Sequence, residues 1–253
     1  GKFIQSLSGK YITAEDVNMN TADMEYISME TKYVTGLPES MGGGGDPSPV
    51  TAYGVYMGIK ATAKKVFGSD DLGGKKIAVQ GVGQVGSYLV ERLVKENAKV
   101  TITDISEEKM KDIAKRFGVD TIDQDGIYDL DMDIYAPCAL GASLNDDTIP
   151  RLKCAVVAGG ANNQLKDELK HGNMLLDKGI VYAPDFLINA GGVINVGNEF
   201  YGNYNRDRVY HHTEKIYDTC LNILNLAEKE KITSQEAAIK MAEKRMPLHF
   251  FVY

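Results

Sequence analysis

The chain has 253 residues, 43% hydrophobic and 25% charged, enough for one large domain or two smaller ones around a sizeable core. A net charge of −7 argues against nucleic acid as an obligatory partner, and no apolar run reaches the ~18 residues that would suggest a membrane span. Cys138, Cys154 and Cys220 are odd in number and far apart, which fits reduced, buried thiols in a cytoplasmic protein better than a disulfide framework; the four histidines show no ligand spacing, so no metal is expected.

The N-terminus, "GKFIQSLSGK", lacks the apolar core of a signal peptide. Residues 1 to 12 read as a strand pair cut open, "KFIQSL" then "GKYIT", and an opening in mid-motif suggests that a segment precedes Gly1. Next, "GKYITAEDVNMN" places Glu15 and Asp16 side by side. Asp16 is either a proton-transferring carboxylate or the polar start of the helical "TADMEYISMETKYV", because Asp and Asn favour helix N-caps. Residues 34 to 49, "VTGLPESMGGGGDPSP", predict a mobile connector, since their glycines and prolines break both regular periods.

After it, "SPVTAYGVYMGIKATAKKVFG" predicts a helix with Pro49 near its start and Gly68 closing it. From Lys75 short apolar runs take over: "KIAVQ", "AKVTITD", "MDIYAP", "CAVVAGG" and "GIVYAP". Helical segments around 84 to 96 and 106 to 117 separate the first three, which argues for a parallel sheet with helices on both faces. Two amphipathic helices follow, "RDRVYHHTEKIYDTCLNILNLAEKEK" and "TSQEAAIKMAEKRM", the second capped at Thr233 or Ser234. His211 and His212 belong to a solvated helical face, and the final "PLHFFVY" fits neither helix.

"KKIAVQGVGQVGSYLVERL" is the most informative motif. Gly81, Gly83 and Gly86 form G-x-G-x-x-G directly after an apolar strand, with Gln84 and Val85 opening the next helix. The three glycines serve a tight turn, backbone approach to a pyrophosphate, and close helix–strand packing, while the helix N-terminus presents its amides to the phosphates. The second strand ends at Asp104, about 20 residues on, as a ribose-binding acid should. Asp104 can accept from a 2′-hydroxyl but would repel a 2′-phosphate, and "ISEEK" brings no immediate arginine, so NAD is favoured over NADP. The fold expected is α/β, a Rossmann-type doubly wound parallel sheet.

With the loop placed, "KYITAEDV", "PSPVTAYGV", "APCALGASLND", "ANNQLKD" and "APDFLINAGGVINV" resemble the Glu/Leu/Phe/Val dehydrogenase family, in order, from about residue 1 to residue 246. The resemblance implies NAD-dependent oxidative deamination of an L-amino acid to a 2-oxo acid and ammonia, in a homo-oligomer when full length. It implies Asp16 as the group moving protons at the substrate nitrogen, Thr51 and Asn163 at the nicotinamide end, and Thr35, Val193 and Val196 along the substrate pocket. The plainer readings are a first-turn helix residue for Thr51, a turn former for Asn163 and core packing for the valines. Val196 offers no hydrogen bond where glutamate-specific members place a hydroxyl, so an apolar substrate is expected.

The family also carries a glycine-rich segment with a catalytic lysine, and a second lysine for the substrate carboxylate, upstream of the region matching Gly1; no "GGGK" occurs in this chain. The organisation expected is therefore a remnant of an N-terminal substrate domain with its linking helix at 1–35, an NAD-binding domain at 36–205 and C-terminal helices at 206–253. The alternative from another class is a non-catalytic NAD-binding module.

Overall fold

The computed structural model, which describes residues 1–16, 19–139 and 141–246, is built on one parallel sheet. Two short helices, α1 (Lys2–Ser6) and α2 (Thr21–Ser28), precede the long α3 (Ser48–Phe67). Alternation then follows: β1 (Lys76–Gln80), α4 (Gln84–Lys95), β2 (Lys99–Thr103), α5 (Glu107–Phe117) and β3 (Asp120–Thr121). β4 (Ile134–Pro137), β5 (Val156–Val157), α6 (Glu168–Asp177) and β6 (Val181–Tyr182) complete the sheet, with α7 (Asp185–Ile188), α8 (Gly191–Phe200), α9 (Arg206–Glu230) and α10 (Ser234–Glu243) after it.

The strand order is β3-β2-β1-β4-β5-β6, all pairs parallel. The order reverses between β1 and β4, and in such sheets the crevice outside the strands' carboxyl ends there takes the ligand. Period-two alternation divides the core. Ile77, Val79, Ile134 and Ala136 pack with Val55 and Ile59 of α3 and Leu89 of α4. Ala78, Tyr135 and Val157 face the other way, onto Leu144, Ile149 and Leu175. Burial on both faces is why the central strands read as continuous apolar runs.

All five apolar runs become strands; β3 is added, too short to give a pattern. Gly68 and Gly118 end α3 and α5 in the left-handed conformation, and Ser106 caps α5. Thr233 caps α10 in a reciprocal box with Glu236. Ile216, Cys220 and Leu224 carry α9 into the core beside α3.

Three expectations need correction. "KFIQSL" is helix α1 rather than a strand, closed locally by Gln5 N–H donating to the Gly1 carbonyl at 2.9 Å; its apolar residues have no strand to pair with among those described. The helix at "TADMEYISMETKYV" stops at Ser28, because Thr31 is buried with its hydroxyl on Gln5 Oε1 and Val34 bridges Thr13 in parallel. Tertiary pairing outweighs the helical rhythm there. The segment read as a mobile connector is packed, with Gly43, Gly44 and Gly45 buried. Residues 247–250 of "PLHFFVY", like 251–253, lie outside the described residues.

Candidate functional site

Each glycine of the loop between β1 and α4 has a different reason to lack a side chain. Gly81 has φ +92°, and a Cβ on it would lie 2.7 Å from the Ala139 amide nitrogen. Gly86 lies so close to the Gly81 carbonyl that a Cβ would overlap its oxygen. At Gly83 an added Cβ would meet nothing within 4 Å, so the space beside it is open. Gly83 is also the N-cap of α4 with no side-chain cap, which turns the first-turn amides at Gln84, Val85 and Gly86 outward. A cavity of about 400 Å³ adjoins the loop, lined by Val82, Gly83, Gln84, Lys109 and Arg116.

Asp104 follows β2 directly. Its Oδ2 accepts from Val82 N–H at 2.7 Å, inside the glycine loop, and its Oδ1 from Ser106 N–H at 2.8 Å. A carboxylate has about four lone-pair sites, so each oxygen retains capacity for a ribose hydroxyl. Across the switch point, Cys138 N–H donates to the Gln80 carbonyl at 2.6 Å, and burial pushes the Cys138 thiol up to about 11. The site is therefore shaped by backbone and carboxylate, without a thiolate.

On the other side of the crevice, Thr51 lies in the first turn of α3 with its hydroxyl on the Pro47 carbonyl at 3.0 Å. The start of α8 abuts it, and a Cβ on Gly192 would come within 2.8 Å of Thr51 Oγ1. Asn163 is exposed, with φ +54°, and its carbonyl accepts from Ala142 N–H at 2.8 Å. It forms a turn and also projects from the loop after β5. Gln164 beside it is buried, its amide N–H on Asp185 Oδ2 at 3.2 Å and its side chain on the Gly159 and Ala161 carbonyls.

The N-terminal segment reaches this region through Thr13. Its carbonyl accepts from Thr35 N–H at 2.9 Å and from the Thr35 hydroxyl at 3.2 Å. Thr35 is buried, and Asp16 is exposed three residues beyond Thr13. The plainer reading of Asp16 as a helix cap does not hold: Asn20 caps α2, its Oδ1 accepting from Ala22 and Asp23. Glu15 packs against Gly36, with Oε2 buried and unpartnered. Burial first, then Asp46 and Asp23, raises its carboxyl to about 7. Asp46 lies just before α3, and its like charge adds to burial in disfavouring the ionised Glu15.

Helix α8 joins the two sides. Val193 is 73% exposed and Val196 half-buried, so Val193 is not a core residue. At the far end Glu199 accepts from the amides of Gly36, Leu37 and Gly44. The structure thus brings Gly81, Gly83, Gln84, Val85, Gly86 and Asp104 together, places Thr51 against α8, and ties the segment after Thr35 to α8's other end, with Thr35 paired to Thr13, three residues before Asp16.

Sequence reasoning missed Glu15, Gln164, Asp185, Asn195 and Glu199. Glu15, Gln164, Asp185 and Asn195 stand inside quoted motifs, so a signal existed; Glu199 had none, because its partners are more than 150 positions away. His211 and His212 are exposed on α9, and a second cavity of about 440 Å³ lies between α6, β6, α9 and α10, away from these groups. Among the described residues no His, Cys, Asp or Glu cluster could hold a metal, and no helix is long and apolar enough to cross a membrane.

A family model for glutamate/leucine/phenylalanine/valine dehydrogenases matches residues 42–107 and 101–247. A leucine dehydrogenase of Thermoactinomyces intermedius is 55% identical over 98% of this chain and 67% of its own length. One from Bacillus cereus is 52% identical over 97% of this chain and 67% of its own. Among solved structures, L-tryptophan dehydrogenase from Nostoc punctiforme superposes with a TM-score of 0.84 at 42% identity, over 96% of this chain and 70% of that one. The chain thus spans about two thirds of the length of these relatives.

Proposed function

The chain belongs to the glutamate/leucine/phenylalanine/valine dehydrogenase family, and from that premise we propose NAD-dependent oxidative deamination of an apolar L-amino acid as its reaction. The products are the 2-oxo acid and ammonia, with leucine and other branched-chain amino acids as the favoured substrates. One observation carries the reading: α8 starts against Thr51, ends on the segment that follows Thr35, and bears Val193 and Val196 between.

NAD fits the first half of the site. The open space at Gly83 suits a pyrophosphate, the uncapped amides of α4 meet its charge, and Asp104 has acceptor capacity for the ribose. Thr51 and Asn163 would hold the nicotinamide end. When bound, NAD supplies the hydride acceptor. Asp16 takes and returns protons at the substrate nitrogen, which requires hydrogen-bond reach and a defined rotamer. Val193 and Val196 give the side chain an apolar wall. A substrate carboxylate placed there without a partner would cost several kcal/mol.

The division into 1–35, 36–205 and 206–253 belongs to the same proposal, as do a homo-oligomer and a reducing, cytoplasmic setting that suits the free Cys138, Cys154 and Cys220. On this reading the lysines that the family uses belong upstream of the region that matches Gly1. The chain by itself should therefore bind NADH yet turn over little amino acid. NADH formation with leucine, valine, phenylalanine and glutamate, for this chain and for any longer form, tests the proposal. Faster turnover of glutamate than of leucine overturns the substrate assignment, and equal rates for chain and longer form overturn the assignment of the missing lysines.

A further inference from the structure

The stretch from Gly36 to Gly45 has few side chains with which to hold its shape, yet three of its amides converge on one carboxylate. Glu199 accepts from Gly36 N–H at 3.0 Å, Leu37 N–H at 3.1 Å and Gly44 N–H at 2.8 Å. One turn earlier on α8, Asn195 is fully buried, its Nδ2 directed at the Gly44 carbonyl at 3.5 Å and its Oδ1 accepting from the Tyr204 hydroxyl at 2.7 Å. Gly44 thus offers both its backbone groups to α8. A Cβ there would come within 2.8 Å of Asn195 Nδ2, so the glycine permits the approach.

We infer that Glu199 is a positioning residue: its carboxylate clips the segment that follows Thr35 onto the helix carrying Val193 and Val196. The consequence for catalysis rests on the proposed function; the clip itself rests on geometry alone.

Three observations support it. Glu199 stands in the last turn of α8, where the helix dipole disfavours an acid, so helix stability does not account for it. A carboxylate is the acceptor suited to three donors, because it has two oxygens and no N–H of its own. Glutamine has the same length but one acceptor oxygen, and turns an amide donor toward a backbone donor. Finally, Thr35 immediately precedes Gly36 and is laddered to Thr13, so a shift at Gly36 moves Thr35 and the approach to Asp16 together. Without the clip, the loop keeps its own turn bonds, Gly43 N–H to the Pro38 carbonyl at 3.2 Å and Gly45 N–H to the Leu37 carbonyl at 2.9 Å, and these do not reach α8.

The test places spin labels at Tyr26→Cys on α2 and Tyr201→Cys just after α8, both highly exposed, in the otherwise unaltered chain and with Glu199→Gln. A chain without added cysteines controls for labelling at Cys138, Cys154 and Cys220. The expected result is one narrow distance distribution that Glu199→Gln at least doubles in width or shifts, while NADH affinity stays within about twofold because Glu199 bonds to Gly36, Leu37 and Gly44 and to no residue of the glycine loop. In any form that turns over amino acid, kcat/KM for the amino acid should fall by about 10²-fold, with KM for NAD unchanged. An unchanged distribution overturns the inference. So does a parallel loss of NADH affinity and melting temperature, which marks a general fold defect. If Glu199→Gln fails to fold, Glu199→Asp and native-state amide exchange decide: faster exchange at Gly36, Leu37 and Gly44 with β1 unchanged supports the clip, and uniform acceleration overturns it. A chain that binds NADH but never acts on an amino acid counts against the proposed function, and the distance distribution then decides the clip by itself.

Discussion

Gly86→Ala and Gly83→Ala each add one methyl group to the same loop, and they should fail in different ways. At Gly86 the new Cβ falls far inside 3.0 Å of the Gly81 carbonyl oxygen, which is backbone and cannot swing aside. A close-packed junction has no slack for it, so helix and loop must part by about 1 Å. Overpacking of this kind costs about 1–3 kcal/mol, and at this chain length about 2–4 °C of melting temperature per kcal/mol, so a fall of about 2–12 °C is expected. The same displacement carries the first-turn amides of α4 out of reach of a phosphate, since a bond of about 2.9 Å stretched by about 1 Å is no longer a hydrogen bond. Losing two charge-assisted bonds at the low end of their range removes about 3 kcal/mol, roughly 10²-fold in Kd. At Gly83, with φ −66° and ψ −159° and nothing within 4 Å, alanine is sterically free in the unliganded chain. Its stability should change by less than about 0.5 kcal/mol. Its methyl group nevertheless occupies the approach of the pyrophosphate, so NADH affinity should still fall by about 10²-fold. Calorimetric titration with NADH and thermal unfolding followed by circular dichroism separate the two. If Gly83→Ala melts as low as Gly86→Ala, or if either binds NADH like the parent, the assignment of tasks to the glycines is wrong.

Asp104→Ser should relax the preference for NAD over NADP and also loosen Val82, because the lost carboxylate holds that amide at 2.7 Å; titration with both cofactors checks it, and tighter NADP binding by the parent chain would refute it. Glu15 is protonated more readily folded, at about 7, than its ordinary 4.5. Its favourable contribution is therefore complete below 4.5 and lost as pH rises to 7. Glu15→Gln should raise the melting temperature at pH 8 and leave it unchanged at pH 4, and a gain of equal size at both values would exclude the burial argument. Thr233→Ala removes an N-cap and its box with Glu236, at a cost of about 1 kcal/mol and a fall of about 2–4 °C. Hydrogen exchange confined to α10 and its contacts is the expected accompaniment, and a change spreading to β1 would contradict it.

Much of the glycine-loop half of the candidate site was legible because its signals are local. Strand, glycine loop, helix and Asp104 lie within thirty residues, and each residue type does there what its own stereochemistry permits: positive φ at Gly81, a helix start without a side-chain cap at Gly83, a carboxylate at the end of β2. The same holds for Ser106 and Thr233 as caps and for Gly68 and Gly118 as stops, since capping is decided within four residues. The reading failed where partners are distant. "KFIQSL" has apolar residues but not the strand that would have made it one, and "METKYV" has a helical rhythm that the bridge to Thr13 overrides. Glycines 42 to 45 look unstructured in sequence, yet Gly42, Gly43 and Gly45 donate to the Glu39, Pro38 and Leu37 carbonyls of their own loop, and Gly44 donates to Glu199 of α8. By itself, then, the sequence determined the α/β alternation and the glycine loop, which follow from short-range pattern, and the family, through motifs in order along the chain. Only the tertiary structure decided that Asn20 rather than Asp16 caps α2, that burial lifts Glu15 to about 7, and that Glu199 gathers three amides. The cap is a local choice between two eligible side chains, settled by where α2 starts; the other two are matters of desolvation and of convergence between segments far apart in the chain, and neither quantity exists until the chain has folded.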